Sequence, residues 1–210
     1  MCVNALTLFY THGRGPELSR SLQWIHQVLL NRAYLDGTRY YQTAECFLFF
    51  LSRLLASSED RELHALLKPL LRERIQERIG VEGDSVALAM RILVCDFVGL
   101  RDEIDFRSLL SLQCEDGGWE VGWVYKYGSS GLRIGNRGLA TAFALNALRA
   151  MSQPCEATSE RLKTAATSNP PNHRSSLLSG RQARSNAFKN SLQWLWHGGK
   201  FKKPVEISGS

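Results

Sequence analysis

The sequence predicts an all-α fold of stacked helical hairpins. Three observations predict it. Stretches with apolar residues on one face alternate with stretches that are apolar nearly all round. The alternation recurs about every 40–50 residues, a period that signals a helical repeat array. No segment of strand period competes with it. A helix with one apolar stripe belongs on the outside of such an array, and one that is apolar all round belongs inside it. Neither buries its apolar surface alone, so neighbours must stack.

The elements follow in chain order. Residues 17–33 place Leu18, Leu22, Ile25 and Leu29 at helical spacing and predict a first outer helix. Its His26 lies beside the apolar stripe and reads as a packed or surface histidine. After the turn-like YLDGTRYYQT, Thr43 reads as the N-cap of an inner helix over 44–56, with Phe47, Leu48, Phe49, Phe50, Leu51, Leu54 and Leu55 around it. A second outer helix spans 60–79, with Leu63, Leu66, Leu67, Leu70, Leu71, Ile75 and Ile79 on one face; Pro69 should kink or split it, and Gly80 should stop it. Asp84 then caps a second inner helix over 85–98, and Gly99 ends it. The third outer helix is shorter, about 105–113. A long loop rich in glycine and aromatics follows, in which GSSGLRIGNRG at 128–138 reads as flexible. Asn136 then caps the third inner helix, RGLATAFALNALRAM.

Charge divides the chain. Its 210 residues carry a formal net charge of +6. Residues 1–151 hold 17 basic and 17 acidic side chains, and the remaining 59 hold nine basic and three acidic. The expected organisation is a neutral helical body over 1–151, a linker over 152–186 rich in Ser, Thr, Pro and Asn, and a basic tail over 187–210. In the tail, Phe188, Leu192, Leu195 and Trp196 predict a short amphipathic helix. The five cysteines have no metal or redox spacing, and their odd count gives no disulfide framework. A reduced, cytoplasmic setting is the simple expectation. The apolar start lacks a preceding basic region, so no signal peptide is expected. The run at 86–98 is too short, and too interrupted by Arg91 and Asp96, to span a bilayer, so no transmembrane segment is expected.

One motif carries a resemblance. Residues 109–119 read LLSLQCEDGGW, with Gln113, Gly117 and Trp119 at its core. This resembles the glutamine–tryptophan repeat of terpenoid cyclases and the related protein prenyltransferases. GLATAFALNAL at 138–148 looks like the inner helix that follows the repeat, and YLDGTRYY at 34–41 looks like a degenerate counterpart. The resemblance covers about residues 1–151. It implies a partial α/α toroid in which Gln113, Gly117 and Trp119 act as a structural staple. The paired glycines suit a tight turn. The Gln amide suits free N–H groups at the next helix's N-terminus, with the Trp ring packed on its stem. The D-x-D-D motif of squalene-type cyclases and the D-D-x-x-D of ionising synthases are both absent. So is a match to the zinc ligands of the prenyltransferases. A full toroid has about twice as many hairpins as this chain, and the chain enters CVNALTLFY as though a preceding helix were missing. A truncated product without independent function is therefore one of the readings left open.

The candidate residues are few. Glu115, Asp116 and Glu120 cluster beside the glycines as general-acid candidates, with solvated or capping turn carboxylates as the favoured alternative. Arg39, Tyr40, Tyr41, Arg133 and Arg137, with Lys126 and Tyr127, lie on loops feeding inner helices. Helix N-termini and arginines there suit a diphosphate, with ordinary surface charge as the favoured alternative. No dinucleotide, P-loop, G-x-S-x-G or H-E-x-x-H pattern is present, so neither cofactor nor metal is expected. Two functional readings stand. One is a terpenoid-cyclase-like domain that binds a hydrophobic, isoprenoid-type ligand, without a recognised catalytic motif. The other is a non-catalytic helical scaffold whose Trp- and Lys-bearing tail engages a membrane surface or a protein partner. Charge alone gives no support for a specific nucleic acid.

Overall fold

A computed structural model describes residues 2–128 and 130–153. The predicted linker and basic tail lie outside these residues, apart from positions 152 and 153. The described part is predominantly helical, with α1 (Cys2–Thr11), α2 (Ser19–Leu30), α3 (Ala44–Ala56), α4 (Arg61–Gln76), α5 (Ser85–Phe97), α6 (Glu103–Ser111) and α7 (Arg137–Ser152). A short 3-10 turn, Gly15–Leu18, leads into α2. A two-stranded antiparallel hairpin, β1 (Trp123–Tyr127) and β2 (Leu132–Gly135), separates α6 from α7.

The alternation in the sequence becomes two rows of helices. α1 packs on α3, α3 on α5 and α5 on α7, which makes an inner row. α2 packs on α4 outside it, and α2 also meets α1, α4 meets α3 and α5, and α6 meets α5 and α7. α5 lies at the centre: every residue from Ser85 to Cys95 is buried. α2 and α4 instead bury one stripe, Ile25 and Leu29 on α2 and Leu63, Leu67, Leu71 and Ile75 on α4. Burying a leucine or isoleucine stabilises by about 1.5–3 kcal/mol, so the outer row is held by these stripes.

The helix ends follow local chemistry. Asp84 accepts from the Ala87 amide at 2.9 Å and Asn136 from the Leu139 amide at 3.1 Å, each as an N-cap. Asp60 and Asp102 cap α4 and α6 in the same way. Gly99 adopts φ +75°, and the Leu100 amide donates back to the Cys95 carbonyl at 2.8 Å, which closes α5. Arg74 lies buried against the end of α2 and donates to the Leu29 and Leu30 carbonyls at 3.1 and 3.2 Å. A neighbouring outer helix thus supplies the cap that α2 lacks in its own sequence.

Four sequence expectations are corrected. The stretch 128–138 belongs largely to a hairpin and its turn, with Tyr125 opposite Ile134, Lys126 opposite Arg133 and Tyr127 opposite Leu132, and the register shifts between Trp123 and Tyr125. Pro69 does not split α4. It lies on the exposed side, and so does Ala65, whose carbonyl loses its intrahelical donor there and can take water. Thr43 stands at the N-cap position of α3 but accepts no helix amide; its hydroxyl donates to Cys46 Sγ at 3.3 Å. The first outer helix is shorter than 17–33, because a left-handed Arg32, at φ +56°, turns the chain after Leu30. CVNALTLFY, to which the sequence reading gives no element, forms α1 and packs against α3.

Candidate functional site

The Gln–Trp loop is built inward from Trp119. Its indole is fully buried, and Nε1 donates to the Leu109 carbonyl on α6 at 2.8 Å. Its backbone amide donates to the Thr141 hydroxyl on α7 at 3.1 Å. One residue therefore bonds an outer helix and the next inner one. Gln113 does not reach that inner helix's amides as expected. Its Nε2 donates to the Gly117 carbonyl at 2.9 Å and closes its own turn. Gly117, at φ +83°, supplies the left-handed turn residue.

The carboxylates beside this loop are exposed. Asp116 meets Arg137 at 2.5 Å and also accepts from the Gly118 amide. Arg137 pulls the Asp116 carboxyl down to about 2, and the carboxylate in turn pushes the guanidinium further up. Glu120 accepts from Cys114 Sγ at 3.4 Å and lies 4.0 Å from Arg137 Nε. Glu115 is exposed.

A second group assembles where the inner helices begin. The Lys126 amide of β1 donates to the Tyr40 carbonyl at 2.7 Å. Tyr40 stacks on Tyr125 with centroids 5.9 Å apart, and Arg39 covers the Tyr40 ring at the same distance. Tyr41 meets Tyr125 and Phe50 edge-on, at 5.8 and 5.0 Å. Phe50 neighbours Phe49, which meets Phe143 of α7 edge-on at 5.3 Å. The result is a run of rings from the hairpin into the inner row. Burial pushes the Tyr41 hydroxyl's pKa up, so it stays protonated. Tyr40, Tyr41 and Arg39 thus come together with the hairpin, whereas Arg133 lies exposed on β2 and Arg137 is engaged with Asp116.

Sequence reasoning missed a buried ionic web. Arg91, fully buried on α5, donates to both Asp105 oxygens at 2.7 and 3.0 Å, to Glu45 at 3.1 Å and to the Val81 carbonyl. Arg78 holds the same Glu45 oxygen at 2.7 and 3.0 Å. Asp102, 1% exposed, caps α6 through one oxygen while the other has no hydrogen-bond partner. Burial, then the adjacent Asp105, pushes the Asp102 carboxyl up to about 7. The two buried thiols, Cys46 and Cys95, are also pushed up by burial, Cys46 to about 11. They behave as core groups and not as nucleophiles. Among the described residues, no group of three or more His, Cys, Asp or Glu could hold a metal, and no helix is long and apolar enough to cross a membrane.

Comparison with known proteins gives one clear likeness. The chain is 45% identical over 148 residues to the drimenol cyclase drtB of Aspergillus calidoustus, which covers 70% of this chain and 28% of that protein. The chain thus spans a little over a quarter of the relative's length. No family model and no solved structure matches it. Across that stretch the chain is similar to a terpenoid cyclase.

Proposed function

We propose that this chain is a terpenoid-cyclase-type helical domain whose inner row and hairpin receive a hydrophobic isoprenoid ligand. The observation that carries the reading is the 45% identity to a drimenol cyclase. The run of rings from Tyr40 to Phe143 supports it. Aromatic faces offer large apolar contact and attract developing positive charge. In this reading the stacked hairpins are an arc of an α/α toroid. Gln113, Gly117 and Trp119 fasten that arc. Asp116, held ionised by Arg137, positions the arginine and does not donate a proton. Tyr40, Tyr41 and Arg39 form one wall of the ligand's entrance.

The test is to incubate the purified, demonstrably helical protein with labelled isoprenoid diphosphates and with squalene. Saturable binding of an isoprenoid, weakened by Tyr41→Ala, is the expected result. Failure of every isoprenoid to bind or turn over would remove the reading.

A further inference from the structure

Four arginines among the described residues are withdrawn from solvent: Arg53, Arg74, Arg78 and Arg91. Three of them are paired. Arg74 meets Glu73 and Glu77, Arg78 meets Glu45, and Arg91 meets Glu45 and Asp105. Arg53 has no carboxylate partner among the described residues, and its Nε is buried without a hydrogen-bond acceptor. A guanidinium cannot shed its proton to escape this cost, so a desolvated arginine calls for an anion. Burial lowers the Arg53 pKa, with Tyr41 as the opposing influence.

Arg53 stands on α3 with two of the rings. It follows Phe49 by four residues and Phe50 by three on α3, so the three share one surface of the helix. Phe50 meets Tyr41, and Phe49 meets Phe143. Arg53 is ten residues beyond Thr43, about 15 Å along α3 from its start. It stands one turn beyond Phe49 and Phe50, and Tyr41 is close enough to act on its charge. The arginines nearer the hairpin are less suited to an anion: Arg137 is engaged by Asp116, Arg39 lies over Tyr40 and Arg133 is exposed.

We propose that Arg53 anchors the oxyanion of an amphiphilic ligand, a phosphate-type group borne on an apolar chain that lies against Tyr41 and Phe50. The inference rests on the isoprenoid reading above and moves the anionic end from the rim to the inner row. A planar guanidinium grips such a group through two parallel N–H bonds, and partial burial strengthens each.

The test uses the full chain and titration calorimetry with inorganic pyrophosphate, farnesyl diphosphate and farnesol, on wild type, Arg53→Gln and Arg53→Lys. Arg53→Gln should weaken farnesyl diphosphate at least tenfold and leave farnesol unchanged, with Arg53→Lys between them. Equal farnesyl diphosphate affinity in wild type and Arg53→Gln overturns the proposal, as does a wild type that binds neither diphosphate. Arg53-dependent pyrophosphate binding without any isoprenoid binding keeps the anion site and removes the isoprenoid reading. Phenylglyoxal labelling of the native chain gives a second readout that needs no variant. Pyrophosphate should protect Arg53 and leave Arg133 labelled, and equal labelling of Arg53 with and without it overturns the proposal.

Discussion

Arg91→Met should be among the most damaging single changes to the fold. Arg91 is fully buried and gives Asp105 two hydrogen bonds and Glu45 one. Methionine fills similar space but leaves the carboxylates. Glu45 keeps Arg78 at 2.7 and 3.0 Å, so it remains compensated. Asp105 keeps only the Gly80 amide, at 3.2 Å. One buried charge is thereby stranded, which costs about 3–5 kcal/mol. Against a total stability of about 5–15 kcal/mol, that removes a large share. With a urea slope of about 1–3 kcal/mol/M, the unfolding midpoint followed by circular dichroism should fall by at least about 1 M. The double variant Arg91→Met/Asp105→Asn removes the stranded charge as well, and should recover part of the loss. A loss under about 1 kcal/mol for Arg91→Met, or no recovery in the double variant, would show that the web does not hold the rows together.

Asp102 makes stability depend on pH. Its folded pKa is raised to about 7, so the stability it contributes is complete below the unfolded carboxylate value and is lost as pH rises towards 7. Asp102→Asn keeps a capping side chain and cannot titrate, so the fall in urea midpoint between pH 5 and pH 8 should shrink; an unchanged fall would remove Asp102 as its source. Trp119→Ala should cost about 3–5 kcal/mol in the same assay through loss of a fully buried ring. Trp119→Phe should cost less, because a smaller ring still fills most of the site although the bond to the Leu109 carbonyl is lost; equal costs would mean that the retained ring's packing contributes little.

Much of the helical fold was legible because its signals are local. Asp84, Gly99 and Asn136 mark helix ends within three residues of the groups they satisfy. The contrast between α4 and α5 shows directly in their leucine spacing. What stayed hidden was non-local or masked by stronger signals. The glycines at 128 and 131 signal a loop, while WVYKY beside them has the β-branched and aromatic residues of a strand. Glu45, Arg91 and Asp105 each look like a stray charge in or beside an apolar helix. Only the packing of α3, α5 and α6 brings together residues 14 and 46 positions apart. The Gln–Trp loop was legible as a motif, but Gln113's partner depends on how the turn closes. Arg53 gave no sequence signal, since a missing partner is visible only in three dimensions.

Asp84 shows how the scaffold and the candidate site are coupled. One carboxylate oxygen caps α5 at the Ala87 amide, and the other accepts the Trp123 amide of β1 at 3.0 Å. The hairpin also lies against α3, where Cys46 Sγ approaches the Val124 carbonyl at 4.0 Å, and it runs directly into α7 through Asn136. The beginnings of three inner helices therefore meet one hairpin, and that hairpin carries Tyr125, the ring that Tyr40 and Tyr41 pack against. Shifting one inner helix would move the cap, the strand and the ring together. Deeper in the same row, the Arg91 web ties α3 and α5 to α6. A ligand lying along Tyr41 and Phe50 would thus meet a loop ring and a helix ring that the hairpin and the stacked helices hold against each other, which is the rigidity that orienting a flexible apolar chain requires.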